Sequence, residues 1–135
     1  MEKITKKMTY EQIENFSIRA DFYYQSTTGE TKLKAFVKKA VANISPILKS
    51  HNEKLSDLRI DNALEDEKGA IMTDEKGNYK FSKEGLKKLN KEVRELYQVE
   101  YEFTPYEIPE YIKNYDNNLD DSLLELFEQF ITSKN

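Results

Sequence analysis

The chain has 135 residues and a mass of 15.9 kDa, room for one domain and short for two. At 38% hydrophobic and 34% charged it is polar yet able to build a core, and its lack of cysteine excludes disulfides, thiol catalysis and thiolate metal sites. The net charge of -4 is carried wholly by residues after Pro109, and an acidic end on a neutral body argues against a general nucleic-acid binder.

The first element is signalled by Thr9-Tyr10-Glu11-Gln12, a capping box in which the Thr9 hydroxyl and the Gln12 side chain satisfy each other's backbone N–H groups. Ile13, Phe16 and Ala20 follow at helical spacing, so a helix is predicted over 8–24, ending at the turn cluster Ser26-Thr27-Thr28-Gly29. Thr31 opens a longer helix. Leu33, Val37, Ala40, Ile44, Ile47, His51, Leu55 and Leu58 step by threes and fours, which predicts a core-facing seam over 31–64. Pro46 interrupts it, removing a backbone donor and predicting a kink. Residues 70–72 and 78–81 flank a Gly77-containing turn and read as a hairpin. Ser82 is an N-cap for a helix to Tyr97 with Leu86, Leu89, Val93 and Leu96 inward and Glu84–Lys88, Lys88–Glu92 and Lys91–Glu95 pairs outward. Val99-Glu100-Tyr101-Glu102-Phe103 alternates as a strand, the expected partner of the hairpin. Pro105 and Pro109 end regular structure, and residues 110–120 read as an acidic linker. Asp120-Asp121-Ser122 then starts an amphipathic C-terminal helix through Leu123, Leu124, Phe127, Phe130 and Ile131.

The predicted fold is α+β and mostly helical: a long antiparallel helix pair (31–64 with 82–97), a small antiparallel β-sheet and the C-terminal helix. A body over 1–109 and an acidic linker and helix over 110–135 form one domain overall.

No catalytic motif stands out. His51, the sole histidine, lacks a nucleophile or carboxylate on its own face and reads as a packing residue. Asp116-Asn117-Asn118-Leu119-Asp120 matches the first half of an EF-hand loop. Asp121 then replaces the required glycine and Phe127 the closing glutamate, so it reads as linker and helix cap. Glu65-Asp66-Glu67 reads as a solvated loop, and Lys32, Lys34, Lys38 and Lys39 as a solubilising face. No catalytic, cofactor-binding or metal residue is assigned, and no cofactor is expected. The aromatic and apolar residues late in the chain carry the remaining interest. Tyr106, Tyr111, Tyr115, Leu123, Leu124, Phe127, Phe130 and Ile131 either cover this chain's own body or bind a partner.

The order of elements, from Met8-Thr9-Tyr10-Glu11-Gln12-Ile13 through Thr31-Lys32-Leu33-Lys34 to Phe81-Ser82-Lys83-Glu84-Gly85-Leu86 and Val99 to Phe103, resembles a group of small, functionally uncharacterised tailed-phage proteins. The resemblance covers about residues 8–108 and implies a phage origin. The expected function is a non-enzymatic protein–protein interaction module, a phage structural or assembly accessory. The alternative is a small phage-encoded inhibitor of a host or defence protein. The expected partner is a phage structural or host protein, or a second copy, with no membrane and no nucleic acid. The expected location is the host cytoplasm or the virion: no apolar stretch follows Lys3, Lys6 and Lys7 as in a secretory signal, and none approaches the roughly 20 residues of a membrane span.

Overall fold

The computed structural model describes residues 4–134. The α+β class holds: among the described residues four α-helices carry more than half of the chain, with two small two-stranded sheets. Strand β1 (Lys6–Thr9) leads into α1 (Tyr10–Ser26), and Thr9 is the junction. Its hydroxyl accepts from the Gln12 N–H at 3.2 Å, while the Gln12 side chain accepts from the Thr9 N–H at 2.9 Å, closing the capping box. Helix α2 (Lys32–Asn62) starts where the Thr31 hydroxyl accepts from the Lys34 N–H. It runs on through Pro46 as one helix. The Ala42 carbonyl, which a residue with an N–H at position 46 would serve, receives the Ser45 hydroxyl at 2.8 Å instead.

Helix α3 (Lys83–Tyr97) is capped by Ser82 and followed by β2 (Glu100–Phe103), β3 (Tyr106–Ile108), a 3-10 turn (Ile112–Tyr115), α4 (Asp121–Glu128) and β4 (Ile131–Ser133). Two compact units emerge. One takes the chain up to Leu48 and from Glu100 onward, and the other is Lys49–Val99.

In the first unit β1 and β2 pair antiparallel, Thr9 against Glu100 through Lys6 against Phe103, and β3 pairs parallel with β4. One apolar core joins α1 (Ile13, Phe16, Ala20), the first half of α2 (Leu33, Val37, Ala40, Ile44) and α4 (Leu124, Phe127). Phe130 stacks on Phe16 at 4.0 Å and on Phe103 at 5.2 Å. The Asn43 side chain ties α2 to the turn after β2 by donating to the Thr104 carbonyl at 2.7 Å.

In the second unit the far half of α2 runs antiparallel to α3. His51 meets Tyr97 edge-on at 4.9 Å, and a Cβ on Gly85 would lie 3.0 Å from the Asn62 carbonyl oxygen. Three expectations are corrected here. The seam of α2 divides, its first half packing with α1 and only its second half with α3. The strand 100–103 pairs with β1 rather than with the expected hairpin. The expected hairpin is present only as an isolated antiparallel bridge, Thr73 with Tyr79, within a ring of three backbone bonds over 64–81: Met72 N–H to Leu64 O, Lys80 N–H to Met72 O and Leu64 N–H to Lys80 O, at 2.8–2.9 Å. Two turns of like sequence, Asp66-Glu67-Lys68-Gly69 and Asp74-Glu75-Lys76-Gly77, build the ring eight residues apart. In each, one Asp oxygen accepts N–H groups two and four residues on, and the Gly takes a positive φ near 80° that a side chain would strain.

Candidate interaction surface

The residues expected to bind a partner are mostly committed to their own fold. Leu124, Phe127, Phe130 and Ile131 are buried in the core of the first unit, so of the two alternatives they cover this chain's own body. The reason is aromatic packing: Phe127 meets Phe16 and Tyr23 edge-on at 5.9 and 5.4 Å. Tyr106 and Tyr115 are half-buried, covering Phe36 at 6.5 and 5.1 Å. Leu123 is half-buried at the rim of a polar cavity. Tyr111 alone stays exposed, its hydroxyl 2.5 Å from the Glu128 carboxylate, which raises its pKa. Residues 110–134 are thus part of the first unit.

That cavity, about 530 Å³, gathers Tyr23, Thr27, Thr31, Asp116, Asn118 and Asp120. Its carboxylates serve the fold. Asp116 accepts the Tyr23 hydroxyl at 2.6 Å and the Asn118 N–H at 2.9 Å, and Asp120 accepts the Leu123 N–H at 2.8 Å as the N-cap of α4. Burial, and then the bond to Asp116, push the Tyr23 phenol up. The half EF-hand motif is therefore a turn and cap. No group of three or more His, Asp or Glu side chains suited to a metal ion occurs among the described residues.

Two of the four residues of the lysine face also serve the fold, while Lys32 and Lys39 are exposed. Lys34 donates to the Thr27 and Gly29 carbonyls beyond the end of α1, at 3.2 and 3.1 Å. Lys38 pairs with Glu30 at 3.7 Å and sits 5.7 Å above the Tyr24 ring. Burial, then the Asp21 charge, push the Tyr24 phenol up to about 12. His51 is wholly buried, its ring edge-on to Tyr97.

The second unit contrasts with the first. Leu89 is its one buried apolar side chain, while Leu55, Leu58, Val93 and Leu96 stay half-buried. Ile60, Leu64, Ile71, Met72, Tyr79, Leu86 and Val99 are each more than a third exposed, seven of the eleven large apolar residues so exposed among the described residues. Ile71, Met72 and Tyr79 ride on the backbone ring, and a groove of about 480 Å³ runs between Ser56 and Arg59 of α2 and Asn78, Tyr79 and Phe81. Sequence periodicity pointed away from this surface because it rewards apolar steps: Leu64, Ile71, Met72 and Tyr79 lie outside the helices, and Leu86, a step it turns inward, is exposed on α3. The signal available was the repeated Asp-Glu-Lys-Gly tetrad. Among the described residues, no helix is long and apolar enough to cross a membrane. Comparisons with protein-family models, curated proteins and solved structures return no match to this chain.

Proposed function

We propose that the chain is a non-enzymatic protein-binding module, a phage structural or assembly accessory that presents the unit Lys49–Val99 to a protein partner. The observation that carries this reading is the exposed apolar set of that unit beside a single buried leucine. Units of this size depend on their cores or on staples for stability, and contiguous exposed apolar surface marks interaction sites. In the first unit Phe16, Phe103, Phe127 and Phe130 fill an extensive core of its own, which supports a scaffold role although Ile4, Ile18, Phe22 and Tyr111 stay exposed there.

The test is site-specific photocrosslinking of the full chain, with a photoreactive amino acid at Ile71 or Leu86 and, for comparison, at Thr132, half-buried in β4. One protein should recur at Ile71 and Leu86 and be absent at Thr132. No adduct at either of the first two positions, or equal adducts at all three, overturns the reading.

A further inference from the structure

Helix α3 carries cations at Lys83, Lys87, Lys91 and Arg94, steps of four and three that form one strip along the helix. All four are exposed, and among the described residues none has an ion-pair partner. Of the three spaced pairs expected on this helix, Lys88–Glu92 closes, at 3.9 Å on the other flank. Arg94 donates instead to the Asn90 carbonyl, at 3.4 Å. Like charges at i,i+4 destabilise a helix, so the strip works against the element that carries it. Beside it runs an apolar edge: Leu86 is 46% exposed, and Val93, two turns on, is half-buried. An uncompensated cationic strip bordering an apolar edge is complementary to apolar side chains at helical spacing flanked by carboxylates.

We propose that α3 docks an acidic amphipathic helix of the protein partner, its apolar side chains on the Leu86–Val93 edge and its carboxylates on Lys83, Lys87 and Arg94. This rests on the binding-module reading and gives that partner its chemistry. A nucleic acid fits less well. The unit Lys49–Val99 carries equal numbers of acidic and basic side chains, and phosphates would leave the apolar edge in water.

The probe is a labelled synthetic helix with leucine at every third and fourth position and glutamate on both flanks. Its twin has lysine for each glutamate, and binding of each to the full chain is read by fluorescence anisotropy. The glutamate peptide should bind at least about tenfold more tightly than the twin and weaken as salt rises. The double variant K87E/R94E should invert the order, and Leu86→Ser should weaken the glutamate peptide by about tenfold. Both changes fall on exposed positions, and circular dichroism checks that each variant is folded. Equal binding of the two peptides, no binding of either, or no effect of the charge reversal overturns the proposal. So does a single-stranded oligonucleotide that binds more tightly than the glutamate peptide and is lost on the same reversal. If crosslinks at Ile71 and Leu86 form while the peptides are not discriminated, the partner's chemistry is wrong and the module stands. If no crosslink forms, the module itself falls.

Discussion

Phe127→Ala tests whether the C-terminal segment is core. The ring is fully buried and meets Phe16 and Tyr23 edge-on, and α4 is fixed on both sides by the Asp120 cap and by β4. Truncating a buried phenylalanine costs about 3–5 kcal/mol, and two edge contacts favour the upper half of that range. Against a typical total of about 5–15 kcal/mol, that is about a quarter or more of what holds a domain together. With an m-value near 2 kcal/mol per M, the urea midpoint of the first unit should fall by about 2 M. The assay is near-UV circular dichroism, which reads tyrosine packing, and Tyr23 lies 5.4 Å from the deleted ring. Leu123→Ala, at a half-buried position on the same helix, should cost clearly less. A loss below about 1 kcal/mol for Phe127→Ala, in the range of an ordinary surface change, would refute the packing argument.

Tyr23 and Tyr24 should diverge under the same change. Among the described residues the buried Tyr24 hydroxyl has no hydrogen-bond partner, so Tyr24→Phe should be neutral or stabilise by up to about 1 kcal/mol in urea titration; Tyr23→Phe, which removes the bond to Asp116, should cost about 1 kcal/mol. The Tyr24 pKa, raised from 10.0 to about 12, favours the neutral phenol in the fold. Its contribution is therefore full below about pH 10 and lost as pH climbs through about 12, so melting temperature should fall over that window and fall less in Tyr24→Phe. Pro46→Ala restores the N–H facing Ala42 and should stabilise by about 1–3 kcal/mol in thermal melts, with no gain if Ser45 already compensates fully. Gly85→Ala gains helix propensity of about 1 kcal/mol but presses a Cβ to 3.0 Å from the Asn62 carbonyl and the Ser82 hydroxyl. Net destabilisation of about 1 kcal/mol is expected, and a raised melting temperature would show that the two helix ends yield.

What the sequence made legible is what depends on near neighbours. The Thr9–Gln12 box and the Ser82 cap are decided within one turn, and each stands where expected, whereas of the inward steps read for α3 only Leu89 is buried and Leu86, expected inward, is 46% exposed. What it hid depends on distant partners. β1 spans four residues, reads Lys-Lys-Met-Thr without clean alternation, and finds its strand beyond position 99. β3 fits three residues between Pro105 and Pro109, which masked it as a loop. Phe130 and Ile131 extend the helical apolar pattern, yet the backbone leaves the helix after Glu128 and pairs with β3. Apolar spacing shows that a segment must be covered, not by what. The ring of 64–81 was legible in its repeated tetrads, because the turn chemistry of Asp and Gly is local.

Energetics decide whether the tail could still serve as a docking arm by leaving the body. Release would return Leu124, Leu126, Phe127, Phe130 and Ile131 to water. At about 1.5–3 kcal/mol for each buried side chain, the cost is roughly 10 kcal/mol before any strand or cap is counted. A partner would have to supply contacts worth about 10 kcal/mol, equivalent to binding at tens of nanomolar, merely to break even. Ile71, Met72, Tyr79 and Leu86 are already a third or more exposed, and engaging them requires no release of that core. The proposed docking on Lys49–Val99 therefore leaves the Phe16–Phe130–Phe103 stack of the first unit intact, whereas a released tail would dismantle it.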